Sequence, residues 1–337
     1  MSYFSIGLKY GRIPLMRGKT MKDRTKLLII KLLAALLVAL IYIIVEAFLL
    51  APTRLKVTYD TFYTDQIDES MDEFSIAFFS DLHYGTTYTS ENIHLVQEKI
   101  NLLQADIVLF GGDLFDHPSL SGILNDKEGQ EAVIDMLSGI ESKYGKFAVL
   151  GNHDLETGNT KNLVTHILTE GGFRIITNSS LRVHTGTESS VRLIGLDSGF
   201  GGNPNVVQSY KDIREADFNI LLCHTPDSIT TINPRLTDIM VSGHSHGHQV
   251  YVPLISENFL PAKSQIYNRG SYYVNATNLI VSNGVGTTGI KARLFTPAEV
   301  NFIRLRYQEK VVTTTPLATT TVTTTTTAKP DTPIIEE

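Results

Sequence analysis

The sequence predicts an α/β sandwich built around mixed sheets and preceded by one transmembrane helix. A largely apolar run at residues 27–50 predicts the helix. From residue 74 to about 306, apolar runs of strand length first alternate with helical patterns and then dominate. Clusters of aspartate, histidine and glycine follow several of these runs, where open α/β sheets bind their ligands.

Composition sets outer limits on the class of protein. A chain of 337 residues holds one large domain or two modest ones. Its formal charge of −6 argues against a general nucleic-acid binder, which normally carries a basic face. Cys223 is the single cysteine, so the chain cannot form an intramolecular disulfide. Its place in an apolar run favours a buried small side chain over a nucleophile.

The first predicted element is a membrane anchor. The run at 27–50 is longer than the about 20 residues that cross a roughly 30 Å hydrocarbon layer. Its charged residues, Lys31 and Glu46, lie near its ends, where long side chains reach the interface. A cleavable signal peptide fits less well, because its apolar region usually has about 7–15 residues before a small-residue cleavage site.

Charge on either side of the run predicts its direction. Basic residues dominate the arm at 1–26, whereas acidic residues follow the run from Asp60 to Glu73. The positive-inside rule therefore predicts a signal-anchor in the cell membrane, with a cytoplasmic N-terminus and the bulk of the chain outside. The basic residues of the arm are Lys9, Arg12, Arg17, Lys19, Lys22, Arg24 and Lys26.

The next elements alternate between strand and helix. Residues 51–73 are predicted to be a polar connector. Strands at 74–80, 106–110, 146–150 and 173–177 are then separated by helices at 90–103, 127–138 and 162–169. We expect Ser90 to cap the first of these helices, and its buried stripe to consist of Ile93, Val96, Ile100 and Leu103.

Mostly strands follow, and the chain ends in a segment of low complexity. The predicted strands are 181–184, 191–196, 218–223, 239–242, 279–282 and 300–305, with a helix after Pro226. Residues 313–327 contain eleven threonines and almost no side chains suited to a core. Residues 309–337 are therefore predicted to be a disordered tail.

Five polar clusters at strand ends carry the chemistry. They offer carboxylates, imidazoles and one amide oxygen but no thiolate, a donor set that suits Zn, Mn or Fe. Asp81 and His83, like His244 and His246, are two residues apart, so both members of a pair point to one side of an extended segment. The clusters are Asp81-Leu82-His83, Gly112-Asp113-Leu114-Phe115-Asp116, Gly151-Asn152-His153-Asp154, His224 and Gly243-His244-Ser245-His246.

In this order, the motifs Asp-x-His, Gly-Asp-x-x-Asp, Gly-Asn-His-Asp, His and Gly-His-x-His resemble those of the calcineurin-like metallophosphoesterases. The resemblance covers about residues 74–306 and is closest to a membrane-associated or exported bacterial phosphodiesterase-like branch. The segment LIVSNGVGTTGIKARLFTPAEVNFIRL is similar to the closing strands of that branch. The resemblance implies a four-layer α/β/β/α sandwich with a catalytic domain at 74–308.

The resemblance also implies a role for each residue of the motifs. Asp113 would bridge two divalent metal ions, and His153 would face the scissile phosphate. Asp116 and Asp154 would be supporting carboxylates that orient the ligands. One ion would be held by Asp81, His83 and His246, and the other by Asn152, His224 and His244.

Elementary chemistry agrees with these roles. Two divalent ions about 3.5–4 Å apart lower the pKa of a shared water and form hydroxide at neutral pH. His153 is suited to stabilise charge or to protonate the leaving oxygen, because an imidazole titrates near neutrality. His248 stands where the family commonly has glycine, and we expect it to be an exposed imidazole. We expect His94, His117, His166 and His184 to be structural or surface residues.

The leading functional hypothesis is a membrane-anchored phosphoester hydrolase with two metal ions of unspecified identity. Its location favours a lipid-linked or cell-envelope phosphodiester or pyrophosphate as substrate, with a membrane lipid among the candidates. A nuclease or nucleotide phosphodiesterase is the alternative enzyme, disfavoured by the acidic charge. A non-catalytic scaffold of the same fold is disfavoured because every ligand position is filled.

Overall fold

The protein consists of one long helix followed by two six-stranded mixed sheets. The computed structural model describes residues 21–186, 190–256 and 260–309. The predicted fold class, an α/β sandwich of mixed sheets after one apolar helix, is confirmed. Most of the predicted basic arm and nearly all of the predicted threonine-rich tail lie outside the described residues.

The first helix is far more apolar than the others and buries none of its residues. A π-helical turn at Glu46–Leu50 and a 3-10 turn at Ala51–Thr53 extend it, so that the whole segment is long and apolar enough to cross a membrane. The helices are α1 (Met21–Val45), α2 (His94–Asn101), α3 (Lys127–Ser138), α4 (Gly158–Glu170) and α5 (Val206–Ser209).

The strands agree with the predicted ones at nearly every position, and two more are present. The central strands are buried on both faces, which explains why their sequences are continuously apolar rather than alternating. The strands are β1 (Lys56–Thr64), β2 (Ser75–Phe79), β3 (Ile107–Phe110), β4 (Lys146–Ala148), β5 (Phe173–Ile175), β6 (Ser179–His184), β7 (Ser190–Leu196), β8 (Phe218–Cys223), β9 (Ile239–Ser242), β10 (Gly270–Val274), β11 (Thr277–Val281) and β12 (Glu299–Tyr307).

The two sheets pack face to face, with helices on the outside. The first sheet has the order β1-β12-β2-β3-β4-β5 and the second β10-β11-β9-β8-β7-β6. Side chains such as Phe78 and Leu109 meet Leu193 and Leu222 between the sheets. Helices α2, α3 and α4 cover the outer face of the first sheet. Short helical turns, including one at Pro226–Thr230, contribute to the outer cluster of the second.

Parallel pairing determines where the polar clusters meet. Strands β2 to β5 are parallel to one another, and so are β7, β8, β9 and β11. The loops that follow these strands therefore emerge at the carboxyl edge of each sheet. All five polar clusters lie on these loops.

The predicted polar connector at 51–73 contains β1, which the sequence analysis missed. This strand pairs with β12 in parallel over nine residues, from Lys56 opposite Glu299 to Thr64 opposite Tyr307. Its residues alternate between exposed and partly buried side chains. The first sheet therefore begins three residues after the helical segment ends at Thr53.

The predicted cap of the second helix was wrong. Helix α2 starts at His94 rather than Ser90, and the preceding residue Ile93 provides no side-chain cap. Residues 89–92 instead form a turn, in which the Asn92 side chain accepts a hydrogen bond from the Thr89 N–H. The predicted stripe is otherwise correct, because Ile93, Val96 and Ile100 are buried.

Candidate metal centre

The loops at the carboxyl edges bring all the predicted ligand residues together. Asp81 and His83 follow β2, Asp113 follows β3, and Asn152 follows β4. The second sheet contributes His224 after β8 and His244 and His246 after β9. Their donor atoms form two groups, in each of which the atoms lie within 4.8 Å of one another: Asp81, His83 and His246, and Asp113, His224 and His244.

In the first group, two imidazole nitrogens face each other. His246 Nε2 lies 3.0 Å from His83 Nε2 and 3.7 Å from Asp81 Oδ1. His246 Nδ1 is buried without a hydrogen-bond partner among the described residues. Metal–nitrogen bonds of about 2.0–2.1 Å allow two nitrogens at this separation to bind one ion. The group therefore fits a divalent cation.

The second group is centred on Asp113, whose carboxylate also approaches the first. Asp113 Oδ2 lies 3.1 Å from His224 Nε2 and 3.7 Å from His83 Nε2. His224 Nε2 also lies 3.1 Å from Asn152 Oδ1. One carboxylate oxygen is thus within reach of both groups, as a bridging ligand requires.

Neighbouring groups fix the orientation of the imidazoles. His224 Nδ1 lies 2.8 Å from the Gly111 carbonyl oxygen, and His244 Nε2 lies 2.8 Å from that of Ala262. His83 Nδ1 lies 3.3 Å from Asp116 Oδ1. Such contacts direct the opposite ring nitrogen at the centre of the site, as is usual for histidines that bind metal.

The four imidazoles differ in protonation: against the effect of burial, Asp113 raises the pKa of His224 to about 9 and Asp116 raises that of His83, whereas the other two are neutral. Burial and the nearby His224 lower the pKa of His244 to about 4, and burial and His83 lower that of His246 well below its usual value. Both rings are therefore neutral and retain a lone pair for a metal. Burial alone would raise the pKa of Asp113, but His224, His153 and His83 together outweigh it and the carboxyl stays ionised.

The backbone at these residues is unusual. Five of the proposed ligands have φ between 43° and 70°, a left-handed conformation that residues other than glycine rarely adopt. They are Asp81, His83, Asp113, His244 and His246. Gly112 has φ of 97°, and a Cβ placed there would lie 2.3 Å from the Gly151 nitrogen. Glycine is therefore required at residue 112, where the Gly112–Asp116 loop touches the Gly151–Asp154 loop.

Asp154, a predicted supporting carboxylate, joins those two loops. It accepts hydrogen bonds from the backbone N–H groups of Gly151, Asp113 and Leu114, at 2.8–2.9 Å. Burial and the charge of Asp113 raise its pKa to about 6. Asp154 therefore acts through the backbone and fixes where Asp113 lies.

The loop after β11 holds the backbone of the Asp81–His83 loop in place. Sequence reasoning did not identify this contact. The fully buried Arg293 donates hydrogen bonds to the carbonyl oxygens of Asn283, Gly284, Gly286 and Thr296. The Gly286 N–H in turn donates to the Asp81 carbonyl oxygen at 2.8 Å. On the same loop, Thr288 donates to Asp116 at 2.6 Å. An arginine twelve residues after β11 gave no pattern from which this contact could be inferred.

His153 lies beside the two groups and has a partner that sequence reasoning also missed. Its Nδ1 lies 2.9 Å from Glu156 Oε1. The same carboxylate lies 3.1 Å from His117 Nδ1 and accepts from Ser119. His117, predicted to be a structural or surface residue, is half exposed and stands with its ring 4.3 Å from that of His153. The spacing of Glu156 three residues after His153 was the available signal.

An open cleft of about 440 Å³ leads to the site. Asp113, Asn152, His153 and Thr288 are among the residues that line it. His248 also lines this cleft, and both of its ring nitrogens are buried. The prediction that His248 is an exposed imidazole was therefore wrong: the left-handed turn at 246–248 directs it inward, where it packs against Tyr251.

Comparison with known proteins places this geometry in context. The sequence profile of the calcineurin-like phosphoesterases matches residues 74–248. The uncharacterized metallophosphoesterase YkuE of Bacillus subtilis is 28% identical over 76% of this chain and 87% of its own length. Phosphodiesterase YaeI of Escherichia coli is 30% identical over 64% of this chain and 76% of its own. A dimetal phosphatase from Danio rerio superimposes with a TM-score of 0.41 at 11% identity, covering 64% of this chain and 88% of that one.

Proposed function

Because this chain belongs to the calcineurin-like phosphoesterase family, and is therefore a metal-dependent phosphoesterase, we propose that it binds two divalent ions at the carboxyl edges of its sheets. Asp81, His83 and His246 hold one ion, and Asn152, His224 and His244 hold the other. Asp113 contacts both. The observation that carries this assignment is the position of Asp113 Oδ2, 3.1 Å from His224 Nε2 and 3.7 Å from His83 Nε2.

The chain's own residues orient the substrate and move the proton. When bound, a pair of divalent ions generates the hydroxide nucleophile from water at neutral pH and offsets the charge of the phosphoryl oxygens. His153 is held through Nδ1 by Glu156, so Nε2 is the nitrogen that protonates the leaving oxygen. Asp116 and Asp154 hold His83 and the Asp113 loop in place.

The substrate is a phosphodiester or pyrophosphate that is linked to a lipid or to the cell envelope. The anchor supports this part of the proposal, because α1 buries no residue against the rest of the described chain and its apolar surface is free to contact lipid. The name of its Escherichia coli relative, a phosphodiesterase, supports a diester. Lipid pyrophosphates compared with cyclic and linear nucleotides in one substrate screen would distinguish this class from nucleotide substrates.

The test is hydrolysis of a chromogenic diester by the full-length protein in detergent. Loaded with Mn²⁺, it should bind two ions per chain and cleave bis-p-nitrophenyl phosphate. Asp113→Ala should bind less metal. Its activity should fall by more than roughly 100-fold, the largest loss typical for removing a residue that only hydrogen-bonds to a metal ligand. Asp135→Ala is the matched control, because Asp135 is an exposed carboxylate on α3.

Two results would contradict the proposal. Equal turnover by Asp113→Ala and the wild type would exclude the mechanism. A wild-type protein that binds no divalent metal would exclude the metal centre altogether.

A further inference from the structure

The membrane helix enters the catalytic domain at the edge that carries the metal site. Strand β1 is parallel to β12, and β12 is antiparallel to β2. The first residue of β1 is therefore at the end of the sheet where β2 finishes. Asn301 pairs with Phe78, which places Glu299 level with Ser80, and Lys56 pairs with Glu299. Two strand spacings, about 10 Å, thus separate Lys56 from the residue before Asp81.

Part of the domain, at residues 294–297, also packs beside the C-terminal turns of the membrane helix. Leu294 and Phe295 line a cavity of about 390 Å³ together with Tyr42 and Ile43. The Arg293 N–H donates to the Ala47 carbonyl oxygen at 2.9 Å, and Ala47 is buried. Tyr42 is eight residues before the end of the apolar run, which corresponds to about 12 Å along a helix. Residues 294–297 therefore lie at the depth of the outer turns of the helix.

A second loop is bonded to this one and extends the same surface to the cleft. The Tyr251 N–H donates to the Leu294 carbonyl oxygen, and the Leu294 N–H to that of Gln249, at 2.9 and 3.0 Å. The Gln249 side chain also donates to the Ile290 carbonyl oxygen at 2.8 Å. We call residues 249–256 and 288–297 together the rim, because Gln249 and Thr288 line the cleft itself.

The rim exposes large apolar side chains that a water-soluble surface would not need. Phe295 is 73% exposed, Ile290 is 65% and Leu254 is 92%. Two exposed lysines, Lys291 on the rim and Lys56 beside it, add positive charge. Apolar side chains mixed with lysine are typical of surfaces that lie in the boundary between lipid headgroups and acyl chains.

From these observations we infer that the rim contacts the same bilayer leaflet from which α1 emerges, so that the cleft opens towards lipid headgroups. The inference rests on the proposed membrane anchor and names the substrate class of the proposed site: a phosphoester at the headgroup of a lipid in that leaflet. Phe295, Ile290 and Leu254 enter the boundary region, and the two lysines face lipid phosphates. The phosphoester then reaches the cleft without leaving the bilayer.

Depth-dependent fluorescence quenching tests this placement. The only native cysteine, Cys223, is buried, so single cysteines introduced at exposed sites can be labelled with an environment-sensitive fluorophore. Full-length variants Leu254→Cys and Phe295→Cys are reconstituted into vesicles of phosphatidylcholine and phosphatidylglycerol. Insertion by about 5–10 Å predicts strong quenching by lipids with a spin label high in the acyl chain, and weaker quenching by a deep label.

Two further labels serve as controls. Leu102→Cys provides a site of similar exposure, 78%, just after α2 and before β3, at the opposite edge of the sheet. It should not be quenched. Leu36→Cys lies within α1 and should be quenched most by the deep label.

These controls distinguish failure of the rim contact from failure of the membrane anchor. Quenching at Leu36 without quenching at Leu254 and Phe295 would overturn the rim contact while leaving the anchor in place. No quenching at Leu36 would overturn the anchor, and the rim contact with it. Hydrolysis of bis-p-nitrophenyl phosphate by the same samples reports on the metal site independently of both.

Discussion

In the proposed reaction, proton transfer depends on His153 and its partner Glu156. The carboxylate of Glu156 is contacted by both His153 and His117 and by Ser119, which holds it in one orientation. Because Glu156 accepts a hydrogen bond from Nδ1–H of His153, the proposed proton donor is the imidazolium form, which donates from Nε2 to the leaving oxygen and leaves the Nδ1–H tautomer behind. The pair combines a group that reacts with a group that only positions it.

We expect the two residues to respond differently to the leaving group. His153→Ala should lower kcat by roughly 10²- to 10⁴-fold, the range typical of a general acid. Glu156→Gln should cost on the order of 10-fold, since the amide oxygen still accepts a hydrogen bond from Nδ1 but no longer carries the negative charge that stabilises the imidazolium. Both losses should be larger for a phenyl ester than for a p-nitrophenyl ester, because p-nitrophenolate leaves without protonation. Steady-state kinetics on the two esters measures this.

Glu170→Gln is the matched control for that experiment. Glu170 also lies near a histidine, His166, at 4.0 Å, but both are exposed on α4. Its kinetics should equal those of the wild type. A Glu156→Gln loss that is the same for both esters would mean that Glu156 only stabilises the loop.

Which residues the sequence could reveal depended on where they stand in the chain. The ligands were identifiable because each follows an apolar strand, and parallel strands end at a common edge. Arg293 and His117 were not, because Arg293 acts on Asp81 through the Gly286 backbone, and His117 reaches the site through the carboxylate of Glu156 on another loop. His248 was misjudged because nothing in its neighbours indicates that the turn before it is left-handed.

At the scale of elements, β1 is the strand with the largest consequence. It lies at the edge of the first sheet and pairs with β12 over nine residues. Without β1, the edge of β12 that faces it would present unpaired backbone N–H and C=O groups. Val57 and Phe62 pack against the two cores, and Thr58 accepts a hydrogen bond from the Asn301 side chain at 2.8 Å. The first sheet therefore includes residues 56–64, and we propose that the folded domain begins before β1.

Truncations on either side of β1 test this boundary. A chain starting at residue 51 should fold without detergent and hydrolyse bis-p-nitrophenyl phosphate. A chain starting at residue 66 should lose roughly 2–3 kcal/mol of unfolding free energy, about half of the roughly 3–6 kcal/mol for full burial of one valine and one phenylalanine side chain, because Val57 and Phe62 are partly buried. Urea unfolding followed by near-ultraviolet circular dichroism of the tyrosines provides the measurement. Equal stability of the two chains would show that β1 is dispensable.

The elements that the sequence did not reveal share a physical reason. Strands β1 and β10 lie at sheet edges and are only partly buried, so their polar and aromatic residues do not form an apolar run. Central strands such as β8 are buried on both faces and were predicted almost to the residue. A strand could therefore be predicted from the sequence when it was buried, whatever its strand propensity.

At the scale of the whole molecule, the direction of the anchor decides where the reaction takes place. Basic residues precede the apolar run at 27–50 and acidic residues follow it, which places the catalytic domain outside the cytoplasm in our proposal. In right-side-out membrane vesicles, a membrane-impermeant maleimide should label Leu102→Cys directly. Ser2→Cys, at the opposite end of the anchor, should react only after lysis. The reverse pattern would place the catalytic domain in the cytoplasm.

The direct junction between helix and sheet has a kinetic consequence. Only Arg54 and Leu55 separate the helical segment from β1, whereas a flexible linker of about 20 residues would let the domain sweep some 25 Å. With the proposed anchor and lipid substrate, an enzyme held so closely would meet its substrate by lateral diffusion in two dimensions. Its rate would follow the number of substrate molecules per unit area of bilayer rather than their bulk concentration. Inert lipid would then slow the reaction, while dilution of the vesicles would leave the turnover of each enzyme unchanged.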